Sequence, residues 1–189
     1  MGKRLYKILF LILSMTVVLS LTACGNSDNY GSNLELDNGK FPSFKGEDFE
    51  GNEYSEELFK NNAVTVLNLW FTGCKACVQE MSELEKLSKE WEKKNVKLVG
   101  ICVDGGTKEA DKEAMKILKA NNVTFPNLKI GKGEAIDKFM NSVMAFPTTL
   151  LIDRQGNVIG EPITGSIDTQ SQIDDLNKKI DEIMEKDLQ

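Results

Sequence analysis

Apolar and polar residues fall into blocks along this chain, and the blocks switch between strand-like and helix-like spacing several times. Ala63 to Trp70 is apolar almost throughout, with Thr65 and Asn68 the exceptions. Such a run reads as a strand buried on both faces, which points to a parallel sheet between helix layers. From Lys75 to about Lys94 the spacing turns helical. Cys77, Met81, Leu84, Leu87 and Trp91 recur at steps of three and four and line one face. Glu85–Lys89 and Glu90–Lys94, on the other side, read as ion pairs on a solvated face. Val96 to Val103 is a second buried strand, ending in the loop Asp104-Gly105-Gly106.

The flanking segments complete the pattern. Phe41 to Tyr54 carries turn signals at Gly46 and at Glu50-Gly51-Asn52 and predicts a small N-terminal hairpin. A short helix around Ser55 to Lys60 follows, with Ser55 as its cap. Thr107 to Asn121 predicts a helix through Ala110, Ala114, Ile117 and Leu118, and Glu134 to Met140 a shorter one. Phe125 to Leu128 and Ala145 to Ile152 read as extended. Asp153-Arg154-Gln155-Gly156-Asn157 is a hairpin turn, and Val158 to Thr164 is the returning strand, placed at a sheet edge by Pro162. Thr169 to about Lys186 closes the chain as a helix on Ile173, Leu176, Ile180 and Ile183.

The chemistry concentrates at Cys74-Lys75-Ala76-Cys77, between the first buried strand and the first long helix. A helix N-terminus offers free N–H groups and the positive end of the dipole, both of which stabilise a thiolate, and the thiolate is the form that attacks a disulfide. Cys74, at the outer end of the first turn, is the expected attacking thiol. Cys77, one turn in and on the apolar face, is the expected resolving thiol. A zinc site would need further ligands, yet the chain has no histidine and its other cysteines, Cys24 and Cys102, stand alone. Val78 occupies the place where a c-type haem site needs histidine. A purely structural disulfide stays open as an alternative, although so short a loop constrains the unfolded chain little.

Composition narrows the partners. The 189 residues suit one domain plus extras, and 41% hydrophobic residues suffice for one core. The net charge of −6 repels a phosphate backbone, so nucleic acid is not an expected partner.

Positive charge clusters only at the extreme N-terminus, in Lys3, Arg4 and Lys7, ahead of the mostly apolar Ile8 to Leu21. That layout reads as a signal peptide over residues 1–23. Leu21-Thr22-Ala23-Cys24 resembles the lipobox of bacterial lipoproteins. The resemblance implies cleavage before Cys24, a lipid anchor on its sulfur, and a location at the outer face of the bacterial cytoplasmic membrane. An uncleaved signal anchor is the alternative. Residues 24–40, rich in Gly, Asn, Ser and Asp, read as a flexible tether, and residues 41–189 as the folded domain.

Trp70, Cys74-Lys75-Ala76-Cys77 and Phe146-Pro147-Thr148-Thr149, in this order, resemble the thioredoxin fold. With the lipoprotein signal, the hairpin and the extra helix at 107–121, residues 41–189 are similar to the TlpA-like (ResA-like) disulfide reductases. The resemblance implies an α/β, thioredoxin-like fold: a central mixed β-sheet with helices on both faces, an N-terminal β-hairpin extension and an extra helix in the middle. It implies that Pro147 is a cis-proline against the sulfurs and that the Phe146 backbone pairs with a substrate chain. Lys75 and Ala76 would complete the substrate surface together with Trp70, which would pack beneath the active-site helix. Glu80 matches a carboxylate of the membrane-tethered relatives and would relay the Cys77 proton. Asn68 stands where classical thioredoxins keep a buried aspartate.

The chain departs from that pattern at Gly73, where a tryptophan commonly precedes the first cysteine, and at Lys75-Ala76, where Gly-Pro or Glu-Pro is common. A positive Lys75 should favour the Cys74 thiolate. Cys102 reads as a small buried hydrophobe. The resemblance implies an enzyme, a thiol-disulfide oxidoreductase without cofactor, acting as a monomer on disulfide-containing extracytoplasmic proteins. A membrane thiol donor of the CcdA/DsbD type would supply its electrons. The rivals are a disulfide-forming oxidase, a thiol peroxidase of the same fold (which needs threonine where Phe71 stands) and a non-enzymatic partner-binding lipoprotein.

Overall fold

The computed structural model describes residues 34–188. The expected signal peptide, Cys24 and the first part of the tether lie outside the described residues. Seven strands form one sheet: β1 (Lys45–Asp48), β2 (Glu53–Ser55), β3 (Val64–Trp70), β4 (Val96–Cys102), β5 (Asn127–Ile130), β6 (Thr148–Asp153) and β7 (Ile163–Thr164). Their spatial order is β2-β1-β5-β4-β3-β6-β7. β3 pairs in parallel with β4, and β4 with β5, while β6 and β7 are antiparallel additions on the other side. The sheet is therefore mixed, with β3 inside it between β4 and β6 and every β3 residue buried.

Among the described residues four α-helices accompany it: α1 (Lys75–Glu92), α2 (Lys108–Ala120), α3 (Glu134–Ser142) and α4 (Gln170–Asp187). Alternation along β3 divides the core in two. Val64, Val66 and Trp70 face a cluster with Cys77, Met81 and Leu84 of α1, Ala114 and Ile117 of α2, and Ile173 and Ile180 of α4. Leu67 and Leu69 face the opposite cluster, with Ile136 and Phe139 of α3, Phe59 of a 3₁₀ helix (Glu56–Asn61), Phe41 and Phe44. Burying Val, Leu, Ile and Phe side chains of this kind stabilises by about 1.5–3 kcal/mol each before chain entropy is set against it. Helices thus cover both faces, as the sequence predicts.

Three segments differ from expectation. The returning strand is broken: Val158 makes only an isolated bridge to Ile152, Gly160 turns with φ 74°, and regular pairing resumes at Ile163–Thr164. The expected tether ends before Lys40. Leu34 and Leu36 pack against the α3-side cluster, the Glu35 N–H donates to Ser142 Oγ at 3.0 Å, and Lys40 bridges to Asn157. Glu85, expected on a solvated face, is buried. It accepts from the Thr124 N–H and hydroxyl, both at 2.7 Å, and binds Lys89 at 2.9 Å. A charge at a helix edge reads as solvated unless its partner's place in space is known. Among the described residues, no helix is long and apolar enough to cross a membrane.

Candidate active site

β3 ends at Trp70, and α1 begins five residues later, at Lys75. Cys74 is the N-cap of α1, and the Cys77 N–H donates to the Cys74 sulfur at 3.1 Å. The Val78 N–H bonds the Cys74 carbonyl at 3.1 Å, so the first turn closes around that sulfur. No acidic residue occupies this first turn, which leaves the positive end of the helix uncompensated. Cys74 and Cys77 are joined as a disulfide, with Cα atoms 5.3 Å apart. Cys74 keeps 7% of its surface accessible and Cys77 none, an asymmetry that leaves only Cys74 open to a partner.

Glu80 lies one turn beyond Cys77 on the same helix edge, a spacing that sets Cβ atoms about 5–6 Å apart. It is fully buried. Its Oε1 accepts from Asn68 Nδ2 at 3.0 Å and its Oε2 from the Ile167 N–H at 2.7 Å. Burial raises the carboxyl above the usual glutamate range, and Asp168 adds to the rise. The two hydrogen bonds pull the other way without cancelling it. Asn68 also donates to Thr149 Oγ1 at 3.1 Å, across the register pair Asn68–Thr149 of β3 and β6.

The Phe146–Pro147 peptide is cis, immediately before β6. Pro147 is buried and Phe146 half-buried, packed on the cluster that holds both cysteines. The Phe146 ring meets Phe71 edge-on, with centroids 5.3 Å apart. The Gly165 N–H donates to the Pro147 carbonyl at 2.9 Å, so the segment that supplies the Ile167 bond to Glu80 also braces Pro147. Lys75 is exposed and Ala76 half-buried on the outer side of the turn.

One expected contact residue is corrected. Trp70 has no accessible surface, and its Nε1 donates to Asn127 Oδ1 at 2.9 Å inside the sheet, so it cannot touch a substrate chain. Its place is beneath the α1 N-terminus. Cys102 is buried, and its thiol, which donates to Asp104 Oδ1 at 3.2 Å, is pushed far upward, first by burial and then by that carboxylate. It is a poor nucleophile in that position.

Sequence reasoning did not single out Phe71, Asp104, Thr149 or Ile167 as parts of this site. Thr149 carried a signal in the Pro-Thr-Thr run. Ile167 acts through its backbone, which no side-chain pattern reports. Among the described residues no group of side chains could hold a metal ion.

The sequence model of the AhpC/TSA family matches residues 38–160. The chain is 34% identical over 139 residues to the thiol-disulfide oxidoreductase ResA of Bacillus thuringiensis subsp. konkukian (strain 97-27), covering 74% of this chain and 75% of that protein. It is also 34% identical over 116 residues to the thioredoxin-like protein YneN of Bacillus subtilis (strain 168), covering 61% of this chain and 64% of that one. Among solved structures it is similar to a putative thiol:disulfide interchange protein DsbE from Chlorobium tepidum. That match has a TM-score of 0.63 and 25% identity, over 79% of this chain and 99% of that one.

Proposed function

The chain belongs to the AhpC/TSA family of thioredoxin-fold proteins and is a thiol-disulfide oxidoreductase, and from that premise we propose that it reduces disulfides in partner proteins with Cys74 as attacking thiol. The observation that carries this reading is the Cys74–Cys77 disulfide at the N-terminus of α1, with only Cys74 accessible and a buried Glu80 one turn on. In the reduced protein the Cys74 thiolate attacks one sulfur of the partner disulfide. The other partner sulfur leaves as a thiolate and takes a proton. Glu80, as carboxylate, accepts the Cys77 proton, and the Cys77 thiolate attacks the Cys74 sulfur. That step breaks the mixed disulfide, and the released partner sulfur takes the proton back from Glu80. Two electrons have then passed from the dithiol to the partner.

The partner chain lies along the Phe146 backbone beside Pro147, with Lys75 and Ala76 on the other side of the sulfurs. We place the domain at the outer face of the cytoplasmic membrane, anchored through a lipid on Cys24 and working as a monomer. A reductase in that oxidising compartment needs electrons from within, and a membrane thiol carrier of the CcdA/DsbD type fits. Apocytochrome c and a methionine sulfoxide reductase are the substrate classes that suit such a site. A thiol peroxidase is disfavoured by Phe71, three residues before Cys74.

Trapping tests the reading. A Cys77→Ala variant is expected to accumulate a mixed disulfide with a partner through Cys74, and Cys74→Ala to form none. A mixed disulfide through Cys77 instead, or full activity in Cys77→Ala, would sink it. Labelled palmitate, incorporated by the full chain and lost in Cys24→Ala, tests the anchor.

A further inference from the structure

The peptide group between Phe71 and Thr72 is held at both edges. Its N–H donates to the two carboxylate oxygens of Asp104, each at 3.1 Å, and the Thr72 hydroxyl donates to Oδ2 at 2.5 Å. Its carbonyl accepts the Cys74 N–H at 3.0 Å. A peptide group is planar, so whatever orients its N–H edge also orients its C=O edge. Gly73, between Thr72 and Cys74, has no side chain with which to brace the turn.

Asp104 is itself well placed. It sits two residues past the end of β4, where the Val103 N–H bonds the Trp70 carbonyl at 2.9 Å and the Cys102 thiol donates to Oδ1. Burial pushes its carboxyl up, but the Thr72 and Cys102 hydrogen bonds outweigh that and hold it below the usual aspartate range. It is therefore an anion at neutral pH.

We infer that Asp104 is a positioning residue for Cys74: through the Phe71–Thr72 peptide it fixes the backbone that aims the Cys74 sulfur at the Cys77 N–H. The inference rests on Cys74 being the attacking thiol. Asp104 acts on that thiol in two opposed ways. Its negative charge disfavours a thiolate nearby, whereas its grip on the turn keeps the sulfur where the helix N-terminus favours one.

Two substitutions separate these effects. Asp104→Asn removes the charge but keeps an acceptor for the Thr72 N–H, and Asp104→Ala removes both. Lys75, Glu80 and Cys102, the other titratable groups around the turn, stay unchanged in each variant. The reduced full chain is alkylated with iodoacetamide across a pH series, with the labelled cysteine located by peptide mass. Asp104→Ala is expected to react at Cys74 about threefold more slowly than Asp104→Asn at pH 7. The two rates should converge above about pH 10, where the thiolate is fully formed in both. Equal rates at pH 7, or a difference that persists at high pH, would overturn the inference. If Asp104→Ala does not fold, Thr72→Val carries the same test by deleting the hydroxyl donor: slower labelling than wild type at pH 7 supports the inference, and an unchanged rate overturns it. Label appearing first on Cys77 would instead overturn the attacking-thiol reading on which this one stands.

Discussion

Glu80 Oε1 and Asn68 Nδ2 meet at 3.0 Å between α1 and β3, and neither side chain has any surface in contact with solvent. Asn68 Oδ1 is buried beside them without a partner. An amide at this position can donate to a carboxylate but adds no second negative charge, so Glu80 is the one acid of the pair and its proton is set by burial.

That arrangement has a consequence for stability as well as for rate. A carboxyl raised by burial holds its proton more tightly in the folded chain than in the unfolded one. Its contribution to stability is full below the ordinary glutamate range and is lost as pH rises through the raised value. Glu80→Gln cannot ionise. The variant is expected to melt above wild type at pH 7, with the gap closing as pH falls below the ordinary glutamate range. Its exchange rate should drop on the order of 10²-fold. Melting curves over a pH series, with turnover of a peptide disulfide, check both parts; full activity in Glu80→Gln would contradict the relay.

Phe71 and Phe146 join the turn before Cys74 to the strand beside Pro147. An edge-on aromatic pair contributes about 0.5–1.5 kcal/mol beyond its buried area. Phe71→Ala is expected to raise KM for a protein disulfide roughly threefold to tenfold, the fold-change equivalent of that energy. Reaction with a small aromatic disulfide, which needs no such platform, should be unchanged. Steady-state kinetics with the two substrates read the difference.

Glu85 ties α1 to the approach to β5 through Thr124. Burial pushes its carboxyl up, but the Thr124 bonds and Lys89 outweigh this and leave it lowered. The stability it contributes is present above the unfolded glutamate value and is lost as pH falls through the lowered one. Glu85→Ala leaves the Thr124 N–H without its acceptor, at a cost of about 1–3 kcal/mol near neutral pH. Denaturant titration is expected to show that difference at pH 7 and a smaller one in acid.

Gly100 in β4 stands opposite Asn127 in β5. A Cβ there would collide with Asn127 Oδ1, the acceptor of the Trp70 indole, and come within 3.2 Å of Trp70 Nε1. The contact is on the buried side of the sheet, so neither neighbour has room to yield. Gly100→Ala is expected to cost about 1–3 kcal/mol from overpacking, read as a lower melting temperature.

The parts of this molecule that were legible in the sequence are those where side-chain spacing and packing coincide. The Cys77-Met81-Leu84-Leu87-Trp91 stripe is the buried face of α1, and the run from Ala63 to Trp70 holds β3, a strand buried along its whole length. Cys-x-x-Cys at a strand-to-helix junction located the reactive turn for the same reason. Glu85 and Asp104 were not legible, because a charge reads as solvated and Asp-Gly-Gly reads as a loop until the fold brings Thr124 and Thr72 to them. Residues 34–40 look like a linker by composition, and what docks them is two leucines and backbone pairing with Asn157. The break between Val158 and Ile163 follows from Gly160 at positive φ and Pro162, which donates no N–H to a ladder.

The central claim, an electron-fed reductase working through Cys74 and Cys77, is tested most directly by the reduction potential of that pair. The protein would be equilibrated with dithiothreitol or glutathione buffers and the dithiol fraction counted by thiol labelling. A value close to about −270 mV, as in thioredoxin, is the result predicted here. A value close to about −120 mV, as in strong oxidants of this fold, would make the protein a disulfide donor and contradict the account.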